Sequence, residues 1–225
     1  EYPLKHCIFV RNTIGAPQAP TKIICVGRNY AAHARELGND VPERPLLFLK
    51  PPSTLIGSGE AIVLPPDAQR VEYEAEIGVV IGARARHVAP AEAMRVVAGF
   101  LPLNDVTARD LQKLDVQFTR AKGFDTFCPV GDVRPHEDWR SLEVIGRVNG
   151  SVRQHGRATD MIFGLPGIIA YITRIMTLLP GDIIATGTPE GVGPLQPGDV
   201  VEVEVPGIGS VRNPVIRDEH AGATD

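Results

Sequence analysis

Residues 71–81 read Val-Glu-Tyr-Glu-Ala-Glu-Ile-Gly-Val-Val-Ile, and this segment constrains the chain more than any other. As a strand, its period of two sets Tyr73, Ala75, Ile77, Val79 and Ile81 on one apolar face and Glu72, Glu74 and Glu76 together on the other. Carboxylates two residues apart on a strand lie about 6–7 Å apart at the backbone, so glutamate side chains can converge on one cation. A divalent ion between them would relieve their mutual repulsion. A solvated acidic face without an ion is the alternative, because exposed carboxylates are common.

Three further places carry candidate chemistry. An apolar run ends at Leu103-Asn104-Asp105, just before the helical stretch at Thr107. Asp105 there either caps that helix or adds a third oxygen ligand to Glu74 and Glu76, giving an all-oxygen site suited to Mg²⁺ or Mn²⁺ and unsuited to zinc or copper. Upstream, His33 and Glu36 lie three residues apart on one face of a short helix. They form either a surface contact or a dyad in which the carboxylate orients the imidazole as a general base. The glycine-rich segment 186–194 lacks the Lys-Ser/Thr ending that opens a helix in a phosphate loop, so it is not one.

Size and composition limit the rest. At 225 residues the chain has room for one substantial core, and a net charge of -4 is too small an excess to suggest a nucleic-acid tract or a basic membrane face. Cys7, Cys25 and Cys128 are odd in number and form no C-x-x-C pair, which argues against a disulfide framework or a zinc site and for a reducing compartment. No apolar run reaches the roughly 18–20 residues of a membrane span, and Glu1-Tyr2-Pro3 lacks the profile of a secretion signal, so the cytoplasm is the expected location.

Period-two patterns predict strands over residues 22–26, 46–49, 61–64, 71–81, 142–149, 182–185 and 200–205. Helical patterns cover 30–37, 90–97, 107–114 and 166–177. Strands and helices do not alternate regularly, which points to a largely β, α+β architecture rather than a doubly wound sheet. The expected organisation is a short N-terminal arm over residues 1–21, one catalytic domain over 22–217 and a frayed tail over 218–225.

Six ordered motifs carry a resemblance. They are Val26-Gly27-Arg28-Asn29-Tyr30 with His33, Phe48-Leu49-Lys50-Pro51, the run from Tyr73 to Gly82, the run from Asn104 to Gln112, Ala121-Lys122-Gly123-Phe124-Asp125, and the run from Ile184 to Gly193. From about residue 22 to 215 the chain resembles the fumarylacetoacetate hydrolase superfamily, and closely its short, single-domain acylpyruvate hydrolase and oxaloacetate decarboxylase branch. The resemblance implies a mixed, largely β sandwich or roll with a few short helices, and a homodimer. It also implies that Glu74, Glu76 and Asp105 hold Mg²⁺ or Mn²⁺, that His33 with Glu36 activates water, and that Lys122 faces the substrate beside the metal. Lys122 on its own would otherwise read as a surface lysine.

By the same resemblance Arg28 and Gln112 are substrate contacts, Thr188 binds a carboxylate, and Arg109 supports the metal site or the substrate. Glu72 is at most a support. The implied activity is metal-dependent hydrolysis of a carbon–carbon bond in an acylpyruvate-type 2,4-dioxo acid, with oxaloacetate decarboxylation at the same site. The alternatives are an isomerase or decarboxylase of 2-hydroxymuconate-type intermediates, an oxaloacetate tautomerase, or a non-catalytic binding protein on the same fold. The partner in the catalytic readings is a small 2-oxo acid, with no nucleic acid or membrane.

Overall fold

The computed structural model describes residues 19–38 and 40–218. The expected arm therefore lies almost wholly outside the described residues, as does the tail beyond Asp218. The chain opens with β1 (Ile23–Gly27), α1 (Ala31–Glu36), β2 (Leu46–Lys50), β3 (Leu55–Ile56) and β4 (Ile62–Leu64). β5 (Val71–Tyr73) and β6 (Ala75–Ile81) follow, and β7 (Val97–Asn104) returns antiparallel along β6. β8 (Thr107–Ala108), α2 (Arg109–Leu114), α3 (Thr119–Lys122) and β9 (Cys128–Pro129) lead to the hairpin of β10 (Glu143–Val148) and β11 (Ser151–Arg157). α4 (Leu165–Ile175), β12 (Ile183–Ala185), β13 (Gly193–Pro194), β14 (Val200–Val205) and β15 (Gly209–Arg217) complete the described chain.

Two five-stranded sheets form the frame, in the orders β2-β1-β12-β6-β7 and β11-β10-β14-β15-β4. In the first, β1 and β12 run parallel and the other neighbours antiparallel. Ile77, Val79 and Ile81 of β6 share one core with Val203 and Val205 of β14 and with Ile168, Ile169 and Ile172 of α4. Each such isoleucine contributes about 1.5–3 kcal/mol by leaving water. The other face of the first sheet is covered as well, since Ile23, Cys25, Val80, Leu101, Leu103 and Ile183 form a second cluster. With both faces covered, every residue of β6 is buried.

The strand expected over residues 71–81 is broken at Glu74. Its N–H donates to Asn104 Oδ1 (3.0 Å) and its carbonyl accepts from the Asp105 N–H (2.9 Å), so Glu74 pairs with a corner instead of a ladder. β5 then joins the small sheet β13-β5-β8, and β6 stays in the first large sheet. The three glutamates thus do not share one flat strand face, and none faces solvent. The helix expected over 107–114 starts only at Arg109, because Thr107 and Ala108 pair with Glu72 and Val71. Residues 90–96 form a run of 3₁₀ turns in place of the expected α-helix.

The strands without a counterpart among the expected elements include the two-residue β3, β9 and β13 and the longer β11 and β15. Asn149 and Gly150, both at positive φ (52° and 78°), make the tight turn into β11. The strand itself reads Ser-Val-Arg-Gln-His-Gly-Arg, an edge strand with little apolar alternation to reveal it. Of the cysteines, Cys25 and Cys128 are buried free thiols, and Cys7 lies outside the described residues. Among the described residues no helix is long and apolar enough to cross a membrane.

Asp182 fastens the start of the described chain to the first sheet. Its carboxylate accepts from the backbone N–H groups of Thr21 (3.0 Å), Lys22 (3.2 Å) and Leu179 (2.8 Å) and from the Thr21 hydroxyl (2.7 Å), and it pairs with Lys22 Nζ. Burial works to raise its pKa, but the hydrogen bonds from Lys22, Thr21 and Leu179 outweigh burial and lower it. Replacing Asp182 by Ala leaves these donors without their acceptor, and we expect a loss of about 2–4 kcal/mol in urea unfolding at neutral pH. A carboxyl with a depressed pKa stabilises the fold above its ordinary value and loses that effect as pH falls through the depressed one, so the difference between variant and parent should shrink below about pH 4. Equal unfolding midpoints at pH 7 would contradict this assignment.

Candidate active site

The register of β6 on β7, which sets Ala75 opposite Asn104 and Glu76 opposite Leu103, brings Glu74 and Glu76 beside Asp105. Each of these three buried carboxylates offers one oxygen, and the three oxygens all lie within 4.8 Å of one another. Three cations are buried against them. Lys122 Nζ donates to Glu74 Oε2 (2.8 Å) and Asp105 Oδ2 (2.7 Å), and the Phe48 ring lies 5.0 Å from the same nitrogen. Arg109 donates through Nη2 to Glu74 Oε1 (2.5 Å), through Nε to Glu72 Oε2 (2.7 Å) and through Nη1 to Gln112 Oε1 (2.6 Å). Lys50 Nζ donates to the Val106 carbonyl and stands 2.8 Å from Asp105 Oδ1.

The loop after β12 supplies the remaining wall. The Gly187 N–H donates to Glu76 Oε2 (2.7 Å), and Gly187 has φ 99°. A Cβ there would sit 2.7 Å from Asn29 Cβ, so both the conformation and the space require glycine. Further along, the Gly191 N–H donates to Glu36 Oε1 (3.0 Å). His33, 4% exposed, lies with Nδ1 3.2 Å from Glu36 Oε2. One loop thus steadies both a member of the acidic cluster and the glutamate that faces His33. Thr188 directs its hydroxyl to the Ala75 carbonyl (2.9 Å) and accepts from Gln154 Nε2 (2.7 Å), so that hydroxyl is committed to the frame.

The side chains singled out from the sequence all line one cavity of about 450 Å³: Glu74, Glu76 and Asp105 with His33, Glu36 and Lys122, and Arg28, Arg109, Gln112 and Thr188. Arg28 adopts φ 57°, a left-handed conformation uncommon for a residue with a side chain and frequent at functional sites. Glu72, which the sequence leaves at most a support, holds Arg109 and also accepts from Arg70 Nε (2.6 Å). Sequence reasoning missed the role of Lys50. The available signal was a lysine closing the apolar run Leu46-Leu47-Phe48-Leu49, where only a paired ammonium could be buried.

The electrostatics of the cluster divide its acids. Burial alone would raise the Glu74 carboxyl, but Lys122 and Arg109 outweigh burial and hold it well below the usual carboxylate range. Glu76 moves the other way. Burial, then the charges of Asp105 and Glu74, push its carboxyl well above that range. Burial would lower the Lys122 ammonium, but Asp105 and Glu74 raise it above the ordinary lysine value. A divalent cation fits this set: the donors are all oxygen, and Glu76 is pressed by like charges that a cation would offset.

The fumarylacetoacetate (FAA) hydrolase C-terminal family matches residues 22–216. The chain belongs to the fumarylacetoacetate hydrolase family. Among its relatives, a mitochondrial oxaloacetate tautomerase of Arabidopsis thaliana is 45% identical over 204 residues, covering 88% of this chain and 92% of the relative. The solved structure of 5-carboxymethyl-2-hydroxymuconate delta-isomerase from Mycobacterium smegmatis is 46% identical with a TM-score of 0.84, covering 90% of this chain and 81% of that one. Fumarylpyruvate hydrolase from Pseudomonas aeruginosa, solved in complex with Mn²⁺ and pyruvate, is 29% identical with a TM-score of 0.83, covering 92% and 100%. The largely β, α+β architecture is that of the fumarylacetoacetate hydrolase family, and the chain is of an enzyme family.

Because burial and the charges of Asp105 and Glu74 push the Glu76 carboxyl above the usual carboxylate range, a metal ion held by Glu76 would compete with a proton there. We expect Mn²⁺ affinity to rise with pH, and calorimetry in buffers of different ionisation enthalpy to report proton release on binding. Affinity that is flat with pH, without proton release, would contradict the role of Glu76.

Proposed function

We propose that this protein is a Mg²⁺- or Mn²⁺-dependent hydrolase that cleaves a carbon–carbon bond in acylpyruvate-type 2,4-dioxo acids and also decarboxylates oxaloacetate. The observation that carries this reading is that the His33–Glu36 pair opens into the same cavity as the Glu74, Glu76 and Asp105 cluster and Lys122. Glu74, Glu76 and Asp105 would hold the metal, which when bound supplies a Lewis acid for the carboxylate and keto oxygens of a 2-oxo acid. The Mn²⁺ and pyruvate named for the Pseudomonas aeruginosa hydrolase support this choice of ion and ligand.

The chain's own residues do the rest. With Nδ1–H directed to Glu36, the His33 imidazole presents an unprotonated Nε2 that can take a proton from water. Glu36, itself fixed by the Gly191 N–H, stabilises the imidazolium that results. The water oxygen adds to the distal acyl carbonyl, the carbon–carbon bond breaks, and its electron pair leaves on the pyruvate fragment as an enolate. Lys122 uses two of its three N–H groups on Glu74 and Asp105, which leaves one for the enolate oxygen. Gln112 and Arg28 line the path of the remainder of the substrate.

A second reading is favoured by the relatives named as oxaloacetate tautomerase and 5-carboxymethyl-2-hydroxymuconate delta-isomerase. Keto–enol or double-bond isomerisation needs the same enolate and a proton carrier but no attacking water. Ultraviolet assays of acetylpyruvate and oxaloacetate, with Mg²⁺ and after chelation, separate these outcomes. Loss of acetylpyruvate supports hydrolysis, and enol–keto conversion of oxaloacetate alone supports the second reading. No metal-dependent change in either compound would overturn both.

Two variants test the division of labour. For Glu76→Ala we expect loss of Mn²⁺ binding together with all activity, and unaltered metal affinity would contradict the ligand assignment. For His33→Ala we expect hydrolysis to fall by about 10²-fold or more while decarboxylation survives better, since only hydrolysis requires an activated water. Equal loss of both reactions would count against His33 as the base.

A further inference from the structure

Most cations that line the cavity are already neutralised by a carboxylate. Arg109 and Lys122 are held by the acids at the floor, and Arg70 by Glu72. Arg28 and Lys113 line the same cavity, and among the described residues neither has an ion pair or a hydrogen bond to its side chain. Lys113 also has a defined place. It lies four residues after Arg109 and one after Gln112 on α2, so the three side chains share one helix face.

That face runs from the floor of the cavity to its mouth. Arg109 is buried against Glu74, Gln112 is half-buried, Lys113 is exposed, and the next residue, Leu114, is 72% exposed. Four residues of helix span about 6 Å, so Lys113 stands one turn beyond the arginine that touches the acidic cluster. A short acid bound by its 2-oxo end at the floor would extend its far end toward this ammonium.

The charge balance of the cavity agrees. Its lining includes five carboxylates, Glu36, Glu72, Glu74, Glu76 and Asp105, and five cations, Arg28, Arg70, Arg109, Lys113 and Lys122, which sum formally to zero. Lys50, paired with Asp105 just behind this lining, adds one more positive charge, so with a divalent cation bound the site is net positive and favours a dianion over a monoanion. We propose that Lys113 is a specificity-determining residue that reads a second, distal carboxylate, so that the cavity prefers 2-oxo acids carrying two carboxylates over those with an uncharged tail. Arg28 is the other cation of the wall without an ion pair among the described residues. This inference rests on the 2-oxo acid reading given above.

The test uses ligands that cannot react, so that binding is measured apart from turnover. The full chain loaded with Mg²⁺ is titrated calorimetrically with 2-oxobutyrate, a monoanion, and 2-oxoglutarate, a dianion, in the parent, Lys113→Met and Lys113→Glu proteins. We expect the parent to bind the dianion about ten-fold more tightly, as for one hydrogen bond to a charged group. Lys113→Met should bring the ratio close to one and Lys113→Glu should invert it. In turnover, the same variants should lower kcat/KM for oxaloacetate relative to acetylpyruvate, mainly through KM. A parent with no preference for the dianion, or variants that weaken both ligands alike, would overturn the role of Lys113 and leave the 2-oxo acid reading intact. Failure of both ligands to bind the metal-loaded parent would instead overturn that reading, and this inference with it.

Discussion

Four carboxylates, Glu72, Glu74, Glu76 and Asp105, lie buried where the first sheet meets its neighbours, and the local structure is organised around them. Burying such groups unpaired costs several kcal/mol each, so their presence requires compensation close by. Lys50, Lys122 and Arg109 provide it from three different elements: the end of β2, the end of α3 and the start of α2. Four acids against three bases leave a formal charge of -1, which is felt most at Glu76. The resulting raised carboxyl of Glu76 is what a cation would relieve.

The same arrangement explains why the surrounding backbone is unusual. Glu74 leaves its ladder so that its carboxylate can meet Lys122 and Arg109, and Asn104 repairs the lost backbone pairing with its side chain. Gly187 takes a conformation that places its N–H on Glu76, at a spot too close to Asn29 for any larger residue. Gly191, four residues later, places its N–H on Glu36. The acid cluster and the His33–Glu36 pair are therefore linked through one short loop, and a shift of that loop would disturb both. The two ends of the cavity differ in kind: the floor is buried and its charges are mostly paired, whereas at the mouth Lys113 has no ion pair among the described residues.

Local patterns made much of this legible. The period of two through residues 71–81, the apolar run ending at Asp105 and the His33–Glu36 spacing each pointed to a residue that lines the cavity. Elements with strong apolar alternation, such as β6 and β14, were visible for the same reason. β11 and β15 were not, because edge and polar strands draw their pairing from neighbours and not from a pattern of their own. Lys50 was passed over because a lysine on its own reads as a surface residue, and only its contact with Asp105 shows otherwise.

By itself the sequence determined which residue types were available at the site and the coarse class of fold, since alternation, turn chemistry and an ordered series of motifs are properties of neighbouring positions along the chain. It could not determine that Glu72 turns to Arg109 while Glu74 and Glu76 turn to Asp105, or that Thr188 spends its hydroxyl on the Ala75 carbonyl. Those outcomes were decided by the tertiary structure. Each depends on which charges and donors distant segments bring within about 3 Å, where pairing outweighs the loss of hydration, and no local pattern carries that distance.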